Sequence, residues 1–334
     1  MQLSVLDQSP IRFDASPALA IQETLELAQF CDQLGYHRYW LAEHHSTGGL
    51  AGSCPEILIG RVAALTRHMR IGSGGVMLNH YSALKVAEQF RMLETLFPGR
   101  IDLGIGRAPG SDQKTAMALQ HGPGSLPIEY FPRQIADLSG FLTHTLEPDH
   151  AFAGIEAMPA GTSAPPLWLL GSSDQSAAYA AHFGTRFAFA HFINPQGGDQ
   201  IMQAYRHYFQ PSAELPQAQG AVAVFAICAD TNEQAQWLRK SRDLWLLKLR
   251  KGELGPIPTP EQADAYPYSE QEKYVIEANQ ERSIAGDPAT VKTALESLAE
   301  RYGVNEIIVV TICHDFAARK RSYELLAKAF ELQA

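Results

Sequence analysis

Apolar runs and helical stretches alternate eight times along this chain, and that rhythm restricts its fold more than any other feature. Residues 3–6, 38–41, 70–78, 100–106, 167–170, 186–190, 222–228 and 307–311 read as strands. The intervening segments carry helical spacing: Ile21, Leu25, Ala28, Cys31 and Leu34 form one stripe that stops at Gly35, and Ala83, Val86, Ala87, Phe90, Leu93 and Phe97 form another, closed by Pro98 and Gly99. The strands are continuous apolar runs, so both of their faces are expected to be buried, as in a parallel sheet covered by helices. Eight such units in 334 residues predict an α/β chain folded as a single (β/α)8 TIM barrel over residues 1–334. An open doubly wound sheet is the competitor. Gly- and Pro-rich stretches at 108–127 and 252–281 interrupt the rhythm and predict insertions after the fourth and seventh strands.

Composition narrows the partners. A hydrophobic share of 46% with 19% charged residues excludes disordered, collagenous and coiled-coil chains. Lys+Arg 27 against Asp+Glu 36 gives a net charge of −9 with scattered basic residues, which argues against nucleic acid and for small-molecule partners. Cys31, Cys54, Cys228 and Cys313 share no C-x-x-C spacing and read as reduced thiols. No basic leader precedes an apolar core at Met1, and the longest apolar stretch, near residues 220–229, is too short to span a bilayer. The expectation is a cytoplasmic chain that does not engage a membrane.

In a barrel the reactive groups sit beyond the C-terminal strand ends. Those ends are polar here: Asp7-Gln8-Ser9, Glu43-His44-His45, Asn79-His80-Tyr81, Arg107, Gly171-Ser172-Ser173, His191 and His314-Asp315. Their convergence on one face argues for a site, because barrel stability requires no imidazole or guanidinium there. Glu43-His44-His45 lacks the spacing of a metal motif, so no metal is predicted, and alternation lets at most one of the two histidines face the mouth. That histidine is either catalytic or simply hydrogen-bonded in its loop. Residues 104–110 resemble a dinucleotide fingerprint, but no helix opens directly after them, so the glycines are expected to clear space beside a ligand. Arg107 offers a permanent cation to a phosphate, or else an ordinary surface ion pair. Gly171-Ser172-Ser173 opens a helix, so it presents hydroxyls and free N–H groups to an anion, or only caps that helix. Gly74-Gly75 weakens a strand unless a bulge, a packed neighbour or a flat ligand needs the room.

With these segments in view, nearly the whole chain resembles the bacterial luciferase-like family of flavin-dependent oxidoreductases. The resemblance rests on Tyr39-Trp40-Leu41-Ala42-Glu43-His44-His45, on residues 70–78, on Pro98-Gly99-Arg100-Ile101-Asp102-Leu103-Gly104-Ile105-Gly106-Arg107-Ala108-Pro109-Gly110, and on Gly171-Ser172-Ser173. Gly286-Asp287-Pro288 adds a weaker match. It implies a barrel holding reduced FMN, with the phosphate on Arg107, Gly171, Ser172, Ser173 and Ser176. It also implies a non-proline cis peptide at Gly74-Gly75 beneath the ring, and His44 as the catalytic histidine of the oxygen chemistry. The implied activity is a two-component monooxygenase using O2, a separate flavin reductase and a small organic substrate. F420-dependent hydride transfer and flavin binding without turnover are the alternatives. The two insertions are lid candidates, and since relatives often pair, the resemblance also allows a homodimer. Asn79 and Ala83 stand where relatives commonly carry proline, so the pocket there departs from the family pattern.

Overall fold

The structure is a computed structural model that describes residues 1–107, 112–120, 128–161 and 163–333. Among these residues ten strands occur: β1 (Gln2–Asp7), β2 (Arg38–Leu41), β3 (Arg70–Ser73), β4 (Val76–Met77), β5 (Ile101–Gly106), β6 (Leu167–Gly171), β7 (Arg186–Ala190), β8 (Gly220–Cys228), β9 (Ser283–Gly286) and β10 (Glu306–Val310). Every pairing between them is parallel. β1, β2, β3, β5, β6, β7, β8 and β10 follow one another around a closed barrel, since β10 pairs with both β8 and β1. Closure excludes the open doubly wound sheet.

Two strand boundaries differ from the sequence reading. The run at 70–78 is not one strand: it breaks at Gly74-Gly75, resumes as β4 against β5, and turns into a short 3-10 helix at Leu78–His80. β9 was not foreseen. Four residues with one β-branched side chain carry little strand signal, yet β8 is nine residues long, and its far end, Phe225–Cys228, takes β9 as a partner. Of the first predicted insertion, 108–127, only 112–120 are described, and they hold the helix Gln113–Leu119. The second, 252–281, contains the helices Pro260–Asp264 and Glu270–Ala278.

Alternation along the strands sorts side chains into two cores. Leu3, Val5, Tyr39, Leu41, Ile71, Ile101 and Leu103 point out to the helices. Leu6, Trp40, Trp168, Ala188, Ala221 and Ile308 point into the barrel. At the N-terminal end of the strands the interior is charged. Arg38 binds Asp102 and Glu306, each at 2.6 Å, and Arg70 binds the other oxygen of Asp102 at 2.8 Å. Trp40 donates its indole N–H to Asp102 at 3.1 Å, and the Arg38 guanidinium lies 4.9 Å from the Trp168 ring centroid. Burial alone would raise the Asp102 pKa, but Arg38 and Arg70 outweigh it and hold the carboxyl below its usual range. This layer plugs one end of the barrel, so room for a ligand lies at the other. No helix of the described residues is long and apolar enough to cross a membrane.

Candidate active site

At the open end the strands carry little side chain on one wall. Gly72 and Gly74 on and after β3, and Gly104 and Gly106 on β5, occupy inward positions, in phase with Arg70 and Asp102. A Cβ on Gly72 would meet the Asp102 carbonyl at 2.6 Å, one on Gly74 would meet Leu6 at 2.6 Å, and one on Gly104 would meet Leu170 at 2.8 Å. Bare backbone is therefore enforced by the packing of the barrel itself. Gly106, nearest the mouth, differs: a Cβ there would meet no described atom within 4 Å. The Gly74-Gly75 peptide is cis, as the resemblance implies. The outcome is a flat wall of main chain that ends in open space.

Beside this wall lies a polar cluster from two adjacent strands. Arg107 directly follows β5, and its Nη1 donates to the Gln175 side chain in the first turn of the helix Asp174–His182. Ser172 and Ser173 join β6 to that helix, and Gly106 pairs in register with Leu170 on β6. Ser173 is the N-cap: its hydroxyl accepts from the Ser176 N–H at 3.3 Å and lies 3.2 Å from the Ser176 hydroxyl. A Cβ on Gly171 would collide with the Ser176 side chain, so glycine there is what seats that hydroxyl against the strand end. Arg107, Gly171, Ser172, Ser173 and Ser176 are thus one spatial group. A guanidinium, three hydroxyls and the positive end of a helix favour an anion.

The other side of the mouth is a cavity of about 640 Å³, lined by Gln8, His44, His45, Phe192, Phe225, Trp245 and Arg282 among others. Gln8 continues the inward phase of Leu6. Here the prediction that at most one histidine faces the mouth is corrected, because β2 ends at Leu41 and strict alternation ends with it; both His44 and His45 line the cavity. Their states differ. His45 Nε2 lies 2.7 Å from Glu43 Oε1, which also accepts from the Tyr81 hydroxyl at 2.6 Å, while Glu43 Oε2 accepts from the Met77 N–H at 2.9 Å. Glu43 therefore ties the loop after β2 to β4. His44 Nδ1 is buried with no partner among the described residues. Burial, with a smaller contribution from the charge of His45, pushes the His44 pKa down to about 4, so its ring is neutral at pH 7.

That shift makes a prediction. The unfolded chain binds a proton at His44 near pH 6.5 that the folded chain refuses until about pH 4. Stability is therefore lost as pH falls through this interval and the loss levels off below it. Between pH 7.5 and 4.5 the wild-type protein should lose about 2 kcal/mol more than His44→Gln, read from urea midpoints. Equal losses in the two proteins would show that His44 is not buried as described.

Three of the polar strand ends face away from the mouth, correcting the expectation that all of them converge there. Asp7 turns to the helices and binds Arg319 at 2.6 Å and the Tyr39 hydroxyl at 2.5 Å. Glu43 serves the loop network just described. His191 is held between the Tyr302 hydroxyl at 2.9 Å and the Glu281 carbonyl at 3.0 Å. Alternation accounts for Asp7, which is out of phase with Leu6 and Gln8. Sequence reasoning named Gln8 only within the polar end of the first strand, without a role of its own, and missed Arg282. The phase of β1 signals Gln8, whereas Arg282 comes from a stretch far along the chain and carries no local signal. Among the described residues no group of three or more His, Cys, Asp or Glu is placed to hold a metal ion.

Comparison with known proteins bears on the family and the fold. The model of the luciferase-like monooxygenase family matches residues 1–306. A luciferase-like monooxygenase of Escherichia coli K12 is 42% identical, covering 96% of this chain and 95% of that protein. The N-acetyl-S-alkylcysteine monooxygenase of Bacillus subtilis is 38% identical over 98% of each. The crystal structure of apo-MsnO8 superposes with a TM-score of 0.91 at 38% identity, covering 99% of both chains. At the level of fold alone, two more solved structures are similar. An FMN complex of a type II Baeyer-Villiger monooxygenase component from Pseudomonas putida has a TM-score of 0.73 at 19% identity, covering 98% of this chain and 97% of that one. An F420-dependent secondary alcohol dehydrogenase has a TM-score of 0.72 at 13% identity, covering 98% of each.

Proposed function

The chain belongs to the luciferase-like monooxygenase family, and on that premise we propose that it oxidises a small organic molecule with dioxygen at reduced FMN, delivered by a separate flavin reductase. The observation that carries this reading is the group formed by Arg107, Ser172, Ser173 and Ser176 at the edge of a glycine wall. The residues fit the cofactor: an anion-favouring helix start takes a phosphate, and a surface stripped of Cβ atoms takes a planar ring. Bound there, reduced FMN supplies the electrons that activate dioxygen.

The protein does the rest. Arg107 and the serine hydroxyls would hold and neutralise the phosphate, and Gly74, Gly75 and Gly104 would leave main chain bare for the ring. Ser173 caps the helix and borders the anion site at once, so the two readings of that residue are compatible. His44 is neutral and its Nδ1 has no partner among the described residues, so it can hold or pass a proton at the cavity without first giving one up. Phe192, Phe225 and Trp245 form an apolar side of that cavity and keep water away from the reacting groups.

One observation keeps a second reading in view. An open groove of about 1140 Å³ runs from Ser172 and Ser173 along the helices Asp174–His182 and Gly198–Tyr208. F420 carries a tail beyond its phosphate that such a groove would accommodate, and an F420 enzyme shares the fold. Anaerobic titration with reduced FMN and with reduced F420, read by fluorescence, separates the two. Reduced FMN is expected to bind at least about tenfold more tightly. Tighter binding of F420 would replace the monooxygenase reading with hydride transfer.

A further inference from the structure

We infer that the substrate is an apolar molecule ending in a carboxylate and that Arg282 grips that carboxylate. This deepens the proposed function, on which it rests, by naming the class of molecule that shares the mouth with the cofactor. Arg282 closes the short 3-10 helix Asn279–Arg282 ahead of β9 and lines the same cavity as His44. It is half-buried. Among the described residues it makes no ion pair and no hydrogen bond. Every other buried or half-buried arginine has a partner: Arg38 and Arg70 in the barrel floor, Arg319 on Asp7, Arg107 on Gln175, and the rest likewise.

A guanidinium facing an apolar cavity loses hydration without compensation unless an anion meets it. The cavity offers that anion a mostly apolar surround in Phe192, Phe225, Trp245 and Leu249, so the partner must be apolar apart from its charged end. The acidic residue on the lining, Asp112, is exposed and caps the helix Gln113–Leu119 by accepting from the Thr115 N–H at 2.8 Å. A single cation suits a monoanion, and its planar fork matches a carboxylate in two parallel hydrogen bonds. The phosphate cluster is separate: none of Arg107, Ser172, Ser173 or Ser176 lines this cavity. Gln8 Oε1, buried in the same wall, has no partner among the described residues; as an acceptor it would take a donor and not the carboxylate, so the charged end is left to Arg282.

Calorimetric titration of the full chain with hexanoate and with hexanamide tests this, since the two share a shape and differ in charge. Wild-type protein is expected to bind hexanoate about tenfold or more tightly than hexanamide, and Arg282→Met is expected to lose that preference. FMN affinity, followed by flavin fluorescence, should be the same in both proteins, which also shows that the variant is folded. Equal or undetectable binding of the two ligands by wild-type protein overturns the assignment, as does a hexanoate preference that survives in Arg282→Met. A drop of FMN affinity in Arg282→Met overturns it too, by moving Arg282 to the cofactor. Failure of FMN to bind the wild-type protein strikes the flavin reading instead and leaves the carboxylate comparison to be judged by itself.

Discussion

Arg107→Glu should weaken binding of reduced FMN by about a hundredfold or more, the loss expected when one partner of a partly buried charge pair is reversed. In the wild-type protein the guanidinium reaches the first turn of the helix Asp174–His182 through Gln175, so its charge is delivered to where the helix N–H groups and the hydroxyls of Ser172, Ser173 and Ser176 already gather. A carboxylate at 107 would face the phosphate with its own negative charge. Arg107→Lys should lose less, about tenfold, since the charge stays and only the forked geometry goes. Anaerobic fluorescence titration measures both. Reduced FMN affinity in Arg107→Glu within about threefold of wild type would remove the phosphate from this cluster.

The largest effect on stability should come from the opposite end of the barrel. Asp102→Ala deletes the carboxylate shared by Arg38 and Arg70 and leaves a buried guanidinium charge under-compensated. Breaking a buried pair in this way costs about 3–5 kcal/mol, seen as a lower urea midpoint with an unchanged slope. Asp102 also accepts the Trp40 indole N–H, so the tryptophan above the floor would lose its anchor. Glu324→Ala, which breaks exposed pairs to Arg321 and Lys328, should leave the midpoint nearly where it was. Equal shifts in the two variants would mean that the charged floor is not what closes the barrel.

The barrel was legible because burial on both faces writes a strand as an unbroken apolar run, and eight such runs with helices between them admit few closures. The grouping of the polar residues after β5 and β6 was legible for a different reason. Arg107, Gly171, Ser172, Ser173 and Ser176 sit at strand ends that adjoin in a parallel barrel, so neighbourhood in space followed from the order of the strands. Direction was harder to read. Asp7 and Gln8 are adjacent and both polar, and only the phase set by Leu6 separates the structural anion from the cavity residue. His44 and His45 lie past the end of β2, where that phase no longer holds, and their roles are separated by Glu43, which takes one ring and leaves the other without a partner among the described residues. The inward glycines showed where side chains are missing, but not that Leu6, Leu170 and the barrel's own carbonyls enforce the omission at Gly72, Gly74 and Gly104. Arg282 stayed hidden because tertiary structure alone brings it to the mouth.

The central claim is that the FMN phosphate would bind between Arg107 and the serine turn, with the ring against the glycine wall. A crystal of the protein soaked with FMN tests it most directly. The account predicts phosphate oxygens within hydrogen-bond distance of the Arg107 guanidinium and of Ser172 or Ser173, and the ring over the Gly74-Gly75 peptide. Phosphate density at Arg282, or in the smaller cavity at the closed end beside Thr185 and Arg186, would contradict it.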